Sequence, residues 1–437
     1  KDLYDELSSI KAEFCVSKCF LKAMEGFKKF KAPRAINSPS DESKTVLGAL
    51  IAASDKKTFK NKWFMKGSNP RTWPGVLDAK FAEQHVMETD FTAFESHHQG
   101  VFAEVVAFWL NHMVRDVADS GLRRFIAQLC KGTNICKFKW ITVEVFQRLM
   151  SGILWTSSGN GILNLLTMSY LCCVTKRPDM SPEWLADHMD ELFTGVVEGD
   201  DGLCVDVGIS QELIDSMGIK LKFERHDRYG DASFCGIVTD PSVNGLIVTD
   251  PVKIMGKFFV LPPSLINARK SKQMGHLRMK ALSYKYLFND CPVVGPLMQH
   301  VCDITATLDP RSSTAESDWK ARLFFASAVK EKVHLNPPRI SMEARLLVQR
   351  RFGVDIATQE RWEASFDGKT PAIGLDLLPF ATADGVKFSI NNYAHVSPAG
   401  CLPLPELIAS VMANGRKPTV KNRCILKGPT DILRPRY

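Results

Sequence analysis

Apolar and polar positions along this chain fall into blocks with different periods, and the blocks predict its elements. HVMETDF, residues 85–91, reads as a short strand. The stretch after it, AFESHHQGVFAEVVAFWLNHMVRDV (93–117), takes a helical period. It puts Phe102, Val105, Val106, Trp109, Leu110 and Met113 on one face, which predicts core rather than a ligand box. RLMSGILWTSSGNGILNLLTMSYLCCV (148–174) begins as a loop at Ser151-Gly152 and becomes a long apolar helix. LFTGVVEGDDGLCVDV (192–207) reads as strand, tight turn, strand, with Gly199 and Gly202 bracketing the turn. SQELIDSMGIKLKFE (210–224) is a helix ended by Gly218 and then a basic strand, and ASFCGIVTD (232–240) is expected to be another short strand. From about residue 246 the pattern is helical with proline breaks, and the basic tail 414–437 is expected to be extended. Residues 1–80 are rich in Lys with aromatics between, as in GFKKFKAPRAI (26–36) and KKTFKNKWFMKG (56–67).

Composition narrows this picture only a little. The 437 residues exceed one small core and imply two or three subdomains. With 45% hydrophobic and 24% charged residues the chain is a folded protein, not a disordered one. Lys and Arg number 56 against 48 Asp and Glu, a net charge of +8. That surplus suits a polyanionic partner and equally suits a plain basic surface. Twelve cysteines, closest at Cys15/Cys19, Cys130/Cys136 and Cys172/Cys173, make no CxxC pair array, so reduced thiols and a cytosolic setting are expected. There is no apolar run of about 18 residues and no signal peptide. The chain opens on Lys1, so a processed product or an excised domain is expected.

Two motifs fail on inspection. DGKT (367–370) ends like GxxxxGK(S/T), but Glu363 stands where the first glycine belongs. GNGILN (159–164) starts like GxGxxG and ends in Asn164. The adjacent acids Asp200 and Asp201 are different. Like charges at a turn tip repel, unless a cation is meant to sit between them. Asp90 lies at the end of the strand at 85–91. If the two strands are neighbours, Asp90 and Asp200 point to one end of one sheet, and carboxylates so placed suit two Mg²⁺.

This ordered set resembles the palm of viral RNA-dependent RNA polymerases, most like the tombusvirus-like and nodavirus-like positive-strand group, over roughly residues 28–240. Asp90 opens a DxxxxD-type motif, SGILWTSSGN fits SGxxxTxxxN, EGDDG is the third motif, MGIKLKFE resembles the fourth and SFCG the fifth. KAPRAI resembles the basic motif that shields the incoming triphosphate. One position departs: the second acid of the first motif is usually Asp and here is Glu95.

The resemblance implies an α+β fold shaped as a right hand. Fingers would occupy residues 1–80, palm 81–100 and 146–245, a fingers insertion 101–145, and a helical thumb with the basic tail 246–437. It implies Asp90, Asp200 and Asp201 as ligands of two Mg²⁺ or Mn²⁺ ions, and Lys222 as general acid toward pyrophosphate. Glu95 and Asn160 would sense the ribose, with Ser151, Gly152 and Thr156 in the same nucleotide site. Lys31 and Arg34 would meet the triphosphate. Lys28, Lys29, Phe234, Cys235, Lys270 and Lys272 would meet RNA. Blander readings stand beside these: Asp90 as a helix cap, Thr156 as a packing hydroxyl, Lys222 as a solvated lysine, and Lys28 and Lys29 as plain surface charge. Phe30, Trp63 and Trp73 would stack on bases or sit in the core, and His97 and His98 are expected on a helix surface. The implied partners are an RNA template and product duplex, NTPs and other replicase proteins. The implied location is host cytoplasm at membrane-associated replication complexes, tethered through a partner or a missing segment. A reverse transcriptase, whose third motif usually reads YxDD, and a catalytically inactive RNA-binding scaffold are the alternatives.

Overall fold

A computed structural model describes residues 15–21, 34–117, 120–139, 141–243, 245–258, 265, 268–310 and 324–366, and the backbone of 419–420. Its mixed α+β architecture holds two sheets. One is built from β1 (Val16–Leu21), β2 (Ala35–Pro39), β4 (Thr133–Lys137), β5 (Thr142–Phe146) and β9 (Thr419–Val420), in the order β2-β1-β4-β5-β9. The other is built from β3 (Val86–Phe91), β6 (Gly195–Glu198), β7 (Asp201–Val205) and β8 (Leu221–His226), in the order β6-β7-β3-β8, with every pair antiparallel.

The second sheet lies between two apolar cores. Met87, Phe91, Val197 and Cys204 enter one, with Leu110, Phe125, Trp155 and Leu163. Val86, Val196 and Leu203 enter the other, with Trp73, Phe81, Phe234, Leu277 and Met298. A strand covered on both faces reads as a continuous apolar run rather than an alternation, which is why VVEGDDGLCV is apolar on either side of its acids. Burial stops at one end, where Asp90, Asp200 and Asp201 are exposed.

The long helix Thr156–Lys176 packs along the β6–β7 hairpin. A Cβ on its Gly161 would press on the Phe64 ring at 2.7 Å, so glycine sets how close helix and hairpin come. Residues 63–65 lengthen the sheet beside β6: the Met65 amide donates to Val197 O at 3.2 Å and the Val197 amide to Trp63 O at 2.8 Å. Trp63 is therefore a core ring. So is Trp73, whose ring lies 5.5 Å from that of Phe234.

Three expectations change. The helical pattern at 93–117 forms a helix only over Val101–Met113; Ala93 adopts φ +51° and a short turn at Phe94–Ser96 intervenes. The segment 232–240 is a tight turn rather than a strand. Phe234 and Ile237 exchange backbone hydrogen bonds of 2.9 and 3.0 Å, and Cys235 and Gly236 take φ +54° and +75° between them, the pattern of a primed hairpin turn. The third concerns the basic helix Lys270–Phe288. Lys270 and Lys272 at its start are exposed, but Arg278 is 9%, Lys280 4% and Lys285 0% exposed. Arg278 donates to Cys302 O at 2.7 Å and Lys285 to Asn336 O at 2.6 Å, which satisfies cations that burial would otherwise disfavour. Most of that helix is core, and only its first turn offers charge to a partner.

Candidate active site at the Asp200–Asp201 turn

The site is fixed by strand register. Asp90 is paired across the sheet with Asp201 on β7 and with Lys222 on β8. Asp200 precedes Asp201 at the turn, where Gly199 takes φ +61° and Glu198 pairs with Asp201. Four of the expected residues, distant in sequence, thus share one end of one sheet. Among the described residues, Asp90, Asp200 and Asp201 are not drawn together as a trio within 4.8 Å; that closeness belongs to Glu88, Glu224 and His226, on β3 and β8.

The acids feel one another. The Asp201 carboxyl is pushed up to about 6, first by burial of the carboxylate although the residue keeps solvent contact, then by the Asp200 charge, with Asp90 and Glu198 adding to it. The Cys235 thiol donates to the Asp201 carboxylate and partly offsets the rise. The donor set therefore suits divalent cations: carboxylates at one end of one sheet, near enough to feel each other's charge, with free oxygen lone pairs. Protonation of Asp201 and cation binding compete. Cation affinity is expected to fall about tenfold per pH unit below about 6. The folded-state value lies above the ordinary 3.8, so the cation-free chain gains stability as pH falls through about 6 toward 3.8. Thermal melts in chelator from pH 7.5 to 5 check this, with the gain absent in Asp201→Asn; equal pH slopes for the two proteins would refute it.

A residue the sequence reading discarded holds the turn. Asn164, fully buried in the long helix, donates from Nδ2 to Gly199 O at 3.1 Å and to Asp201 O at 3.0 Å. It stood at the end of a failed glycine motif; the usable signal was an amide in an otherwise apolar helix, since buried polar groups must find partners. Gly202 is required just beside it: a Cβ there would overlap Thr89 Oγ1 and reach 3.3 Å from Asn164 Oδ1.

Ser151 and Gly152 form a loop docked on β2. The Asn37 amide donates to Ser151 O at 2.7 Å, and Gly152 takes φ +101°, where a Cβ would lie 2.8 Å from Ile36 Cγ2 and 3.0 Å from Asn37 O. Arg34, exposed, directly precedes that strand. The Thr156 hydroxyl donates within 2.9 Å to Met150 O and Ile153 O, so it shapes the loop itself. Asn160 is half-buried with Oδ1 unpartnered, and its amide lies against the His98 ring. Glu95 is exposed, and its charge reaches His97.

Neither histidine is on a helix surface. Burial depresses both, His98 to about 3, and His97 Nε2 accepts the Lys220 amide at 2.8 Å. Phe234 is 2% exposed and faces the core, so its ring offers nothing to RNA; its neighbour Cys235 reaches the site. Lys28, Lys29, Phe30 and Lys31 lie outside the described residues.

Residues 53–216 match the family model for viral RNA-dependent RNA polymerase. The matched span holds Asp90, Ser151, Gly152, Thr156, Asn160, Asp200 and Asp201, and stops before Lys222. No curated protein matches the chain. The match supports a viral RNA-directed RNA polymerase, a nucleotidyltransferase that uses an RNA template and NTPs.

Proposed function

We propose that this chain copies RNA from an RNA template in viral genome replication, as a right-hand polymerase most similar to the tombusvirus-like and nodavirus-like group. The observation that carries the reading is the register: Asp90 lies between Asp201 and Lys222, with Asp200 at the adjoining turn. Asp90, Asp200 and Asp201 would hold Mg²⁺ or Mn²⁺, which when bound supply charge neutralisation at the attacking hydroxyl and the leaving pyrophosphate. The 3′-oxygen of the growing RNA bonds to the α-phosphorus of an NTP as the bond to pyrophosphate breaks. Lys222, exposed beside Asp90, is placed to give a proton to that leaving group.

Glu95 and Asn160 flank the histidine pair and are the groups to read the ribose hydroxyl. Glu95 carries the charge of the usual Asp one methylene further out. The loop at Ser151-Gly152 supports the template base, and Thr156 positions that loop. Arg34, with Lys28, Lys29 and Lys31, would meet the triphosphate and the RNA backbone, and Cys235, Lys270 and Lys272 the primer and product strands. In this reading residues 1–80 are fingers, 81–100 and 146–245 palm, 101–145 a fingers insertion and 246–437 thumb. The setting is a replication complex on host cytoplasmic membranes with other replicase proteins. Among the described residues no helix is long and apolar enough to cross a membrane.

The test is extension of a short self-priming RNA hairpin with Mg²⁺, NTPs in one arm and dNTPs in another. Elongation with NTPs is expected. Preferential use of dNTPs would make the chain a reverse transcriptase. RNA binding with no incorporation of either would make it an inactive scaffold.

A further inference from the structure

Two residues along from Asp90, on the same face of the sheet, is a second polar cluster. Glu88 on β3 pairs directly with Glu224 on β8, and His226 is two positions further along β8. Like charges directly opposite one another weaken a strand pair. One ligand atom from each of Glu88, Glu224 and His226 lies within 4.8 Å of the other two. His226 Nε2 is 3.4 Å from Glu88 Oε2 and 4.0 Å from Glu224 Oε1. The acids alone would not make a site. The independent observation is the imidazole: its side chain is only 6% exposed, and Nε2, aimed between the carboxylates, has no hydrogen-bond partner.

We propose that Glu88, Glu224 and His226 bind one divalent transition-metal cation, Zn²⁺ or Mn²⁺, at a site distinct from the aspartates. Tetrahedral bonds of about 2.0–2.1 Å place ligand atoms about 3.3 Å apart. The imidazole and Glu88 already stand at that spacing. Glu224, whose side chain is 71% exposed, has under an ångström to close on the imidazole and provides the way in from solvent. An imidazole with two carboxylates favours Zn²⁺ or Mn²⁺ over Mg²⁺, which prefers oxygen alone. Glu88 is oriented from outside the cluster: the Ser233 amide donates to its Oε2 at 2.8 Å. Asp90 is two residues away on β3, about 7 Å along an extended strand, so one ion does not serve both sets. The bound ion would tie β3 to β8 and, through Ser233, to the turn that brings Cys235 to Asp201.

The test uses the full chain carrying Asp90→Asn, Asp200→Asn and Asp201→Asn, which removes the neighbouring acids, after dialysis against chelator. Calorimetric titration with Zn²⁺, and separately with Mn²⁺ and Mg²⁺, is expected to show one Zn²⁺ or Mn²⁺ per chain and no comparable Mg²⁺ binding. The melting temperature should rise by a few degrees at saturation. Adding Glu224→Gln or, separately, His226→Gln should weaken Zn²⁺ binding at least tenfold. Melts in chelator show whether those chains fold as the parent does, and Glu224→Gln, at an exposed position, keeps the test open if His226→Gln fails to fold. Unchanged Zn²⁺ affinity in a folded Glu224→Gln chain overturns the proposal. So does absence of any Zn²⁺ or Mn²⁺ binding.

Discussion

Replacing Asp200 with alanine is expected to lower nucleotide addition by about 10³-fold or more while leaving the fold and RNA binding intact. The expectation is sharp because Asp200 supports nothing else. It is exposed at the turn, and among the described residues its side chain makes no hydrogen bond or ion pair. Its charge stabilises no neighbour: it pushes the Asp201 carboxyl up and adds to the rise of the Cys235 thiol. Removing it should leave thermal stability in chelator equal or slightly raised, the reverse of what a structural acid would do. Single-turnover hairpin extension, filter binding of RNA and thermal melts separate these effects. Extension within tenfold of the parent protein would remove Asp200 from the chemistry and with it the polymerase reading.

Gly202→Ala should disable the protein by a different route. The added Cβ falls on Thr89 Oγ1, directly across the β3–β7 pair, with the Asn164 amide close behind. Neither neighbour is free to withdraw: Thr89 is 2% exposed in the central strand, and Asn164 is committed to the turn. Overpacking of this kind costs about 1–3 kcal/mol. Because the strain lies one register step from the Asp90–Asp201 pair, a displacement of about 1 Å would lower extension roughly 100-fold. The check is a double-mutant cycle. Thr89→Ala deletes the overlapping atom, so Gly202→Ala with Thr89→Ala should recover part of both stability and activity. Strict additivity of the two losses would show that Thr89 is not the obstacle.

The candidate site was more legible in the sequence than the scaffold around it. Local patterns were enough for the strand at Asp90, the glycine-bracketed turn at Asp200, the helix after Ser151-Gly152 and the strand carrying Lys222, because each is short and punctuated by its own turn residues. Which acids face each other was not legible, since register is set by partners more than a hundred residues away; Asp90 meets Asp201 and Lys222, with Asp200 one step aside. The sheet of β1, β2, β4 and β5 was missed in part for the same reason: its central pair, β1 and β4, joins residues more than a hundred positions apart, as Val16 with Ile135. Charge misled where burial decided. The helix Lys270–Phe288 reads as basic, yet Arg278 and Lys285 have their ionic ends hydrogen-bonded indoors, and the buried Lys280 ammonium lies over the Phe258 ring. Phe234 read as a strand residue near RNA and proved to be the inward ring of a tight turn, with Cys235 left to face the acids.

That cysteine has a chemical consequence. Ten cysteines among the described residues are free thiols, and Cys235 is the one of them that keeps partial exposure as a residue, while its sulfur is packed against the acids. Burial, then the Asp201 charge, holds its thiol far toward the protonated form. Alkylating agents and peroxides attack the thiolate, not the thiol. The sulfur nearest the acidic turn is thereby kept a poor nucleophile at neutral pH, and electrophilic compounds designed to capture a cysteine there would meet a passivated target.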